Sequence, residues 1–302
     1  MKLSCLSESE LRRCLSSAGG LKIKIGRFSV CLSSSIREVS EHLRRLYKDF
    51  ELISDPDFCD FHVALMPPFG VRRYVRPQVN FSFDGEYPFK PLPYGQAGAL
   101  FEWGLNWCIA RHANQYLIIH AAVVAKDSRA LVLAGTPGSG KSTLCAALVC
   151  EGWRLLSDEM ALLSVDDGGL YPVPRPISLK NRSLEVISAF SPDSVMGPVV
   201  RDTAKGTVGH MRPPLQSVEL GERPVRPAQL VFPRYKERSG TKLTRLSKGR
   251  ALLRAAENSF NYSVLGAHGF NSLARLIEDS DCHEFQYSRL DEAIAVFTEL
   301  AT

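Results

Sequence analysis

The stretch Leu131-Val-Leu-Ala-Gly-Thr-Pro-Gly-Ser-Gly-Lys-Ser-Thr-Leu144 constrains this chain more than any other. Its opening run, Leu131 to Ala134, is short and apolar and has the character of a buried strand. Gly135-Thr136-Pro137-Gly138-Ser139-Gly140-Lys141-Ser142 follows, and Thr143 leads into an apolar helical stretch reaching Val149. The three glycines allow the backbone to curl with its N–H groups pointing inward at an anion. A helix beginning near Lys141 aims its positive end at the same place. Glycine, lysine and serine at this spacing, between a strand and a helix, form a phosphate-binding loop: Lys141 would reach the β/γ-phosphates of a nucleotide and Ser142 would hold Mg²⁺.

The loop sits in an ordinary globular chain. At 302 residues there is room for one large domain or two small ones, and 45% hydrophobic with 23% charged residues suits a packed core. The net charge of +5 fits anionic small molecules, and no basic stripe is interleaved with aromatics, so no nucleic-acid partner is expected. The eight cysteines show neither C-x-x-C nor zinc spacing, which points to reduced thiols and a cytoplasmic location. The N-terminus lacks the apolar core of a signal peptide, and no run approaches 18 apolar residues, so no membrane association is expected.

Periodicity gives the outline. Residues 7–17 predict a serine-capped helix, 21–25 and 28–32 a hairpin, and 60–66 and 78–83 further strands. Ile36, Val39, Leu43, Leu46 and Tyr47 share one face of a helix placed over 35–52. A soft boundary near residue 95 separates an N-terminal α+β region (1–95) from a nucleotide-binding part (96–302). Residues 98–113 predict a helix, 116–125 one central strand, and 153–159 a strand ending in two acids. Pro174 to Lys180 predicts a rigid connector and 191–227 a long basic loop. Ser247 is placed as the cap of a helix running to about Tyr262, and Ser288 and Asp291 as a capping box for the last helix.

Two further positions carry chemistry. Asp158 lies seventeen residues after Lys141 at the end of the next strand, which puts Asp158 and Glu159 at the carboxyl edge of the sheet, beside the loop. One acid there can hold Mg²⁺ and the other can take a proton from an attacking hydroxyl. A solvated acid pair at a strand end would give the same pattern. His120 interrupts a run of Leu, Ile, Ala and Val, as a core histidine or a catalytic one would.

In this order, Ile119-His-Ala-Ala-Val-Val, the glycine loop and Gly152-Trp-Arg-Leu-Leu-Ser-Asp-Glu159 resemble the core of bacterial HPr kinase/phosphorylase. Pro174-Arg-Pro-Ile-Ser-Leu-Lys-Asn181, Gly197 to Gly206 and Val231-Phe-Pro-Arg-Tyr235 extend the resemblance to the HprK-related kinase A family. The resemblance implies an α/β fold with a phosphoenolpyruvate-carboxykinase-like, HPr-kinase-like core carrying an N-terminal α+β extension. It implies ATP and Mg²⁺ as cofactors, and transfer of the γ-phosphoryl group to a hydroxyl, a serine of a peptide or small protein. Carried over, Asp158 is the base, His120 its neighbour, and Lys141 the phosphate ligand. Ser142 and Glu159, with Asp158 at the same edge, form the metal set.

Thr143 stands where HPr kinases carry Glu, and Pro174 to Lys180 replaces their downstream Glu-x-Arg-Gly signature, so the acceptor half of the site is rebuilt. Arg175, Lys180, Arg201 and Lys205 are the basic residues placed to meet an acceptor. The resemblance to hexameric HPr kinases leaves a homo-oligomer open. The competing functions are a P-loop ATPase and a nucleotide-binding regulatory module without turnover.

Overall fold

The computed structural model describes residues 1–54 and 58–301. Helix α1 (Glu8–Ser16) starts under a capping box in which the Ser7 hydroxyl accepts from the Glu10 N–H at 3.3 Å and the Glu10 carboxylate accepts from the Ser7 N–H at 2.8 Å. Strands β1 (Leu21–Ile25) and β2 (Phe28–Ser34) form the predicted hairpin. Helix α2 (Arg37–Leu46) ends earlier than its apolar periodicity reached, yet Ile36, Val39, Leu43, Leu46 and Tyr47 are all buried together. Strands β3 (Phe61–Met66), β4 (Gln78–Phe83) and β5 (Leu92–Pro93) complete a five-stranded sheet ordered β1-β2-β3-β4-β5.

Helix α3 (Ala97–His112) packs closely onto this sheet. A Cβ on Gly104 would come within 2.1 Å of the Phe81 ring, so glycine is the residue that permits the approach. One hydrophobic cluster therefore runs from Leu3 through Phe81 to Phe101 and Ile109, and takes residues from both sides of position 95.

The apolar run predicted as one central strand is two. Strand β6 (Tyr116–Ile119) and strand β7 (Ala121–Lys126) join different sheets, and the chain bends between them at His120. The His120 N–H leaves both ladders and donates to the Asn258 carbonyl at 2.7 Å. Every residue of both strands but Lys126 is buried, so hydrophobicity stays high through the bend and hides it.

Strand β8 (Arg129–Ala134), helix α4 (Lys141–Cys150) and strand β9 (Arg154–Ser157) follow. Strand β10 (Ala161–Ser164) pairs with both β6 and β11 (Leu170–Tyr171) in a small sheet ordered β11-β10-β6. The expected connector is half strand: β12 (Ile177–Lys180) leads into helix α5 (Arg182–Phe190). The long loop expected over 191–227 is largely structured. It holds the hairpin of β13 (Val200–Thr203) and β14 (Gly206–Met211), with β14 pairing β12, and then helix α6 (Leu215–Glu219). Its composition hid this because β14 buries a glycine and a histidine, Gly209 and His210, in place of branched residues.

Strand β15 (Arg226–Tyr235), strand β16 (Lys242–Arg245) and helices α7 (Lys248–Glu257), α8 (Tyr262–Leu265) and α9 (Ala267–Glu278) come next. Strand β17 (Asp281–Tyr287) and helix α10 (Leu290–Ala301) end the chain. Ser247 holds the N-cap position as expected, though its side chain makes no capping bond among the described residues, and α7 stops five residues short of Tyr262. Ser288 also departs from its expected cap role, donating its hydroxyl to the Ser239 carbonyl at 2.7 Å, while Asp291 pairs with Arg289.

The largest sheet is six-stranded, ordered β16-β17-β15-β8-β7-β9. Strand β8 shows the two-residue alternation that makes such a layer. Leu131 and Leu133 face the cluster of α4, α5 and α10, and Ala130, Val132 and Ala134 face that of α7 and α9. Strands β15 and β17 run parallel to β8, whereas β7 runs antiparallel to both β8 and β9. The carboxyl ends of β8, β9, β15 and β17 therefore share one edge with the start of β7. Among the described residues, no helix is long and apolar enough to cross a membrane.

Candidate functional site

That shared edge collects the sequence's chemistry. Gly135, Thr136, Pro137, Gly138, Ser139 and Gly140 join β8 to α4, with positive φ at all three glycines. The Gly140 position is the most constrained: φ is 94°, and a Cβ would lie 2.4 Å from the Tyr287 hydroxyl. Tyr287 donates that hydroxyl to the Gly140 carbonyl at 3.1 Å, and the Tyr235 N–H donates to the Ser139 carbonyl at 3.0 Å. The ends of β15 and β17 thus pin the loop. The Ser139 hydroxyl is buried with no hydrogen-bond partner among the described residues. Beyond the loop, the first N–H groups of α4 have no carbonyl inside the helix to bond.

Lys141 differs from the freely solvated residue its type suggests. It is buried, and its ammonium donates to the carbonyls of Gly135 at 2.5 Å and Thr136 at 3.1 Å. Burial lowers its pKa, and Asp158 and Glu159 oppose that shift. Thr143 donates its hydroxyl to the Ser183 hydroxyl at 2.8 Å.

Asp158 follows β9 directly and is buried. Its Oδ2 accepts the Ser178 N–H at 2.9 Å, and its Oδ1 has no hydrogen-bond partner among the described residues. Burial, then the charge of Glu159, pushes its pKa up to about 7, with the Ser178 N–H, Ser142 hydroxyl and Lys180 pulling the other way. Glu159 is half-buried: Asn106 Nδ2 donates to its Oε2 at 2.7 Å, and Lys180 Nζ stands 3.8 Å from its Oε1. His120 enters from the start of β7 with its ring 5.7 Å from that of Phe260. Burial lowers its pKa, the positive charges of Lys141, Lys180 and Lys205 add to this, and Glu159 opposes. The imidazole is therefore neutral at neutral pH.

The four basic residues expected to meet an acceptor divide. Lys180 interacts with both acids and Lys205 with Glu159; Lys205, at the tip of the β13–β14 hairpin, also places its ammonium 5.0 Å from the centre of the Trp103 ring. Arg201 is exposed on β13. Arg175 is a correction: it is buried, donating to the Glu102 carboxylate at 3.1 Å, to the Glu102 carbonyl at 3.2 Å and to the Asn106 side-chain oxygen.

A cavity of about 480 Å³ borders the loop, lined by Gly138, Gly140 and Thr143 and by Val186, Phe190, Tyr235 and Tyr287. Periodicity gave no sign of this cavity, because its aromatic residues come from three separate elements.

Residues 104–178 match the family model described as SynChlorMet cassette protein ScmC. The matched segment runs from within α3 through β12's first residues, and so contains His120, the glycine loop, Asp158 and Glu159. No curated protein matches the chain.

Sequence reasoning missed Glu102 and Asn106. They lie four residues apart on α3, one helical turn; Asn106 reaches Glu159, and Glu102 meets His42, Tyr47 and Arg175. That spacing was the available signal.

Proposed function

We propose that this chain is an ATP-dependent kinase that transfers the γ-phosphoryl group to a hydroxyl, a serine of a peptide or small protein. One observation carries the reading. At the edge where the glycine loop ends, Asp158 holds a buried carboxylate oxygen with no partner and a pKa near the operating pH, which is what a general base needs. The antiparallel β7 between β8 and β9 also favours the carboxykinase-like, HPr-kinase-like core over an all-parallel nucleotide-binding sheet.

The glycine loop and the start of α4 would hold the phosphates, with Lys141 turning from its two carbonyls to the β/γ-phosphates. The neighbouring cavity has the size and aromatic lining for a nucleoside. Asp158 would take the proton of the acceptor hydroxyl as its oxygen bonds to the γ-phosphorus. The bond from that phosphorus to the bridging oxygen breaks, and ADP leaves.

The residues also fit Mg²⁺, which commonly takes one or two carboxylates together with substrate phosphates. The Ser142 hydroxyl beside Asp158 and the half-buried Glu159 are hard oxygen donors, which leaves the Asp158 Oδ1 to take the proton. When bound, the ion would neutralise charge on the transferring phosphoryl group. Lys180 and Lys205 would meet acceptor or phosphate charge, with Arg201 further out on the same hairpin.

The test is incubation with γ-labelled ATP, Mg²⁺ and an array of serine-containing peptides. Label on peptide supports the kinase. Phosphate release with no labelled peptide indicates an ATPase, and stable binding without either indicates a regulatory module.

A further inference from the structure

Residues 1–95 enter the candidate site through a buried chain of polar contacts. Glu102 lies on α3 with its carboxylate sealed from water. Two residues of the N-terminal region reach it: His42 on α2 hydrogen-bonds it at 2.8 Å, and the Tyr47 hydroxyl donates to its two oxygens at 2.8 and 3.0 Å. The Arg175 guanidinium approaches the same carboxylate at 3.1 Å. Burial pushes the carboxyl's pKa up, but the His42 hydrogen bond and the Arg175 charge more than offset it, so Glu102 is ionised.

Arg175 also donates to the side-chain oxygen of Asn106. That contact fixes which way the amide faces, because an oxygen turned to the guanidinium leaves the NH₂ pointing away. The NH₂ meets Glu159 Oε2 at 2.7 Å. Each link thus sets the orientation of the next, from α2 through α3 to the acid.

We infer that Asn106 is a positioning residue that holds Glu159 for metal binding, and that the N-terminal region supports it by completing the buried Glu102–Arg175 pair. The inference rests on the nucleotide-binding reading of the loop. A carboxylate with one oxygen tied down presents the other, here the Oε1 that Lys180 approaches at 3.8 Å and would yield to the ion, in a fixed direction, and loss of such an outer partner typically weakens a metal site about 10- to 100-fold.

Asn106→Leu keeps the shape of the side chain and removes the donor. The probe is Mn²⁺, followed by its electron paramagnetic resonance signal in the presence of a non-hydrolysable ATP analogue. Nucleotide affinity in EDTA is measured alongside, with the melting temperature as a check on folding. Asn106→Ala serves as a second variant should the leucine perturb α3. The expected result is Mn²⁺ affinity about ten-fold weaker, with unchanged metal-free nucleotide affinity and a cooperative melt lowered only modestly, since leucine also takes the Asn106 oxygen away from buried Arg175. Wild-type Mn²⁺ affinity in a folded variant overturns the role of Asn106 and leaves the donor-site reading standing. A wild-type chain that binds no nucleotide overturns that reading, and this inference with it. Equal weakening of metal-free nucleotide binding also overturns it, since the effect would then lie in the loop and not in Glu159.

Discussion

Tyr287 and Gly140 are 147 residues apart in the chain, yet the tyrosine hydroxyl closes on the glycine carbonyl at 3.1 Å, directly where α4 begins. The last strand of the sheet therefore fixes the backbone that would face phosphate. Tyr287→Phe removes one hydrogen bond, worth about 1 kcal/mol, and should raise the Kd for nucleotide several-fold with little change in melting temperature. Gly140→Ala is harsher, because a Cβ would sit 2.4 Å from the Tyr287 oxygen at a φ of 94°. It should abolish nucleotide binding. Titration with a fluorescent ATP analogue reads both, and wild-type affinity in Gly140→Ala would refute the arrangement.

Lys141→Ala should lower phosphoryl transfer by at least about 10²-fold, the usual loss when one charge-stabilising donor is removed. It also leaves the Gly135 and Thr136 carbonyls without their buried donor, so a modest drop in melting temperature is expected. Label transfer from γ-labelled ATP and a thermal melt measure the two effects separately.

Asp158→Asn should lose about 10² to 10⁴ in transfer rate while still binding nucleotide. In the wild-type chain, kcat/KM should rise as pH increases through about 7, the value to which burial lifts this carboxyl. Stability moves the opposite way. The folded pKa stands above the ordinary 3.8, so the folded chain binds the extra proton between these values, and stability falls as pH rises from about 4 to about 7. Asparagine removes that penalty. The variant should melt at a higher temperature than wild type at pH 8 and at a similar one at pH 4. A lower melting temperature at pH 8 would count against a buried, strained carboxylate.

Glu102→Ala strips the buried counter-charge from Arg175. Leaving such a charge uncompensated typically costs about 3–5 kcal/mol. Urea denaturation should show a loss of that order, and a change near zero would mean that water reaches the pair.

The strand, glycine loop and helix were readable in the sequence because their pattern is local. A strand, three glycines, Lys141, Ser142 and a helix lie within twenty residues, and Asp158 follows one strand later. The bend at His120 was not readable, since the residues on both sides are equally buried and periodicity carries no mark of a change of sheet. The β13–β14 hairpin was hidden by its glycines and cations. Arg175 looked available because nothing in its own neighbourhood announces Glu102, its partner 73 residues earlier. The helix α3 pair was legible in spacing alone, but two polar residues on an apolar helix gain meaning only when their partners are known.

The tight hairpin of β7 and β8 has a consequence for how the molecule assembles. Six consecutive pairs, from Ala121 with Ala134 to Lys126 with Arg129, tie His120 to Gly135 across only fifteen residues of chain. Closing so short a segment is fast, and hairpins align in roughly 1–10 μs. The partners that pin the loop, β15 and β17, arrive from about a hundred and about a hundred and fifty residues downstream, and parallel pairing over such separations is slow. The histidine and the first glycine of the site therefore become neighbours early in folding, and the loop between β8 and α4 takes its final shape only when the chain's last strand docks.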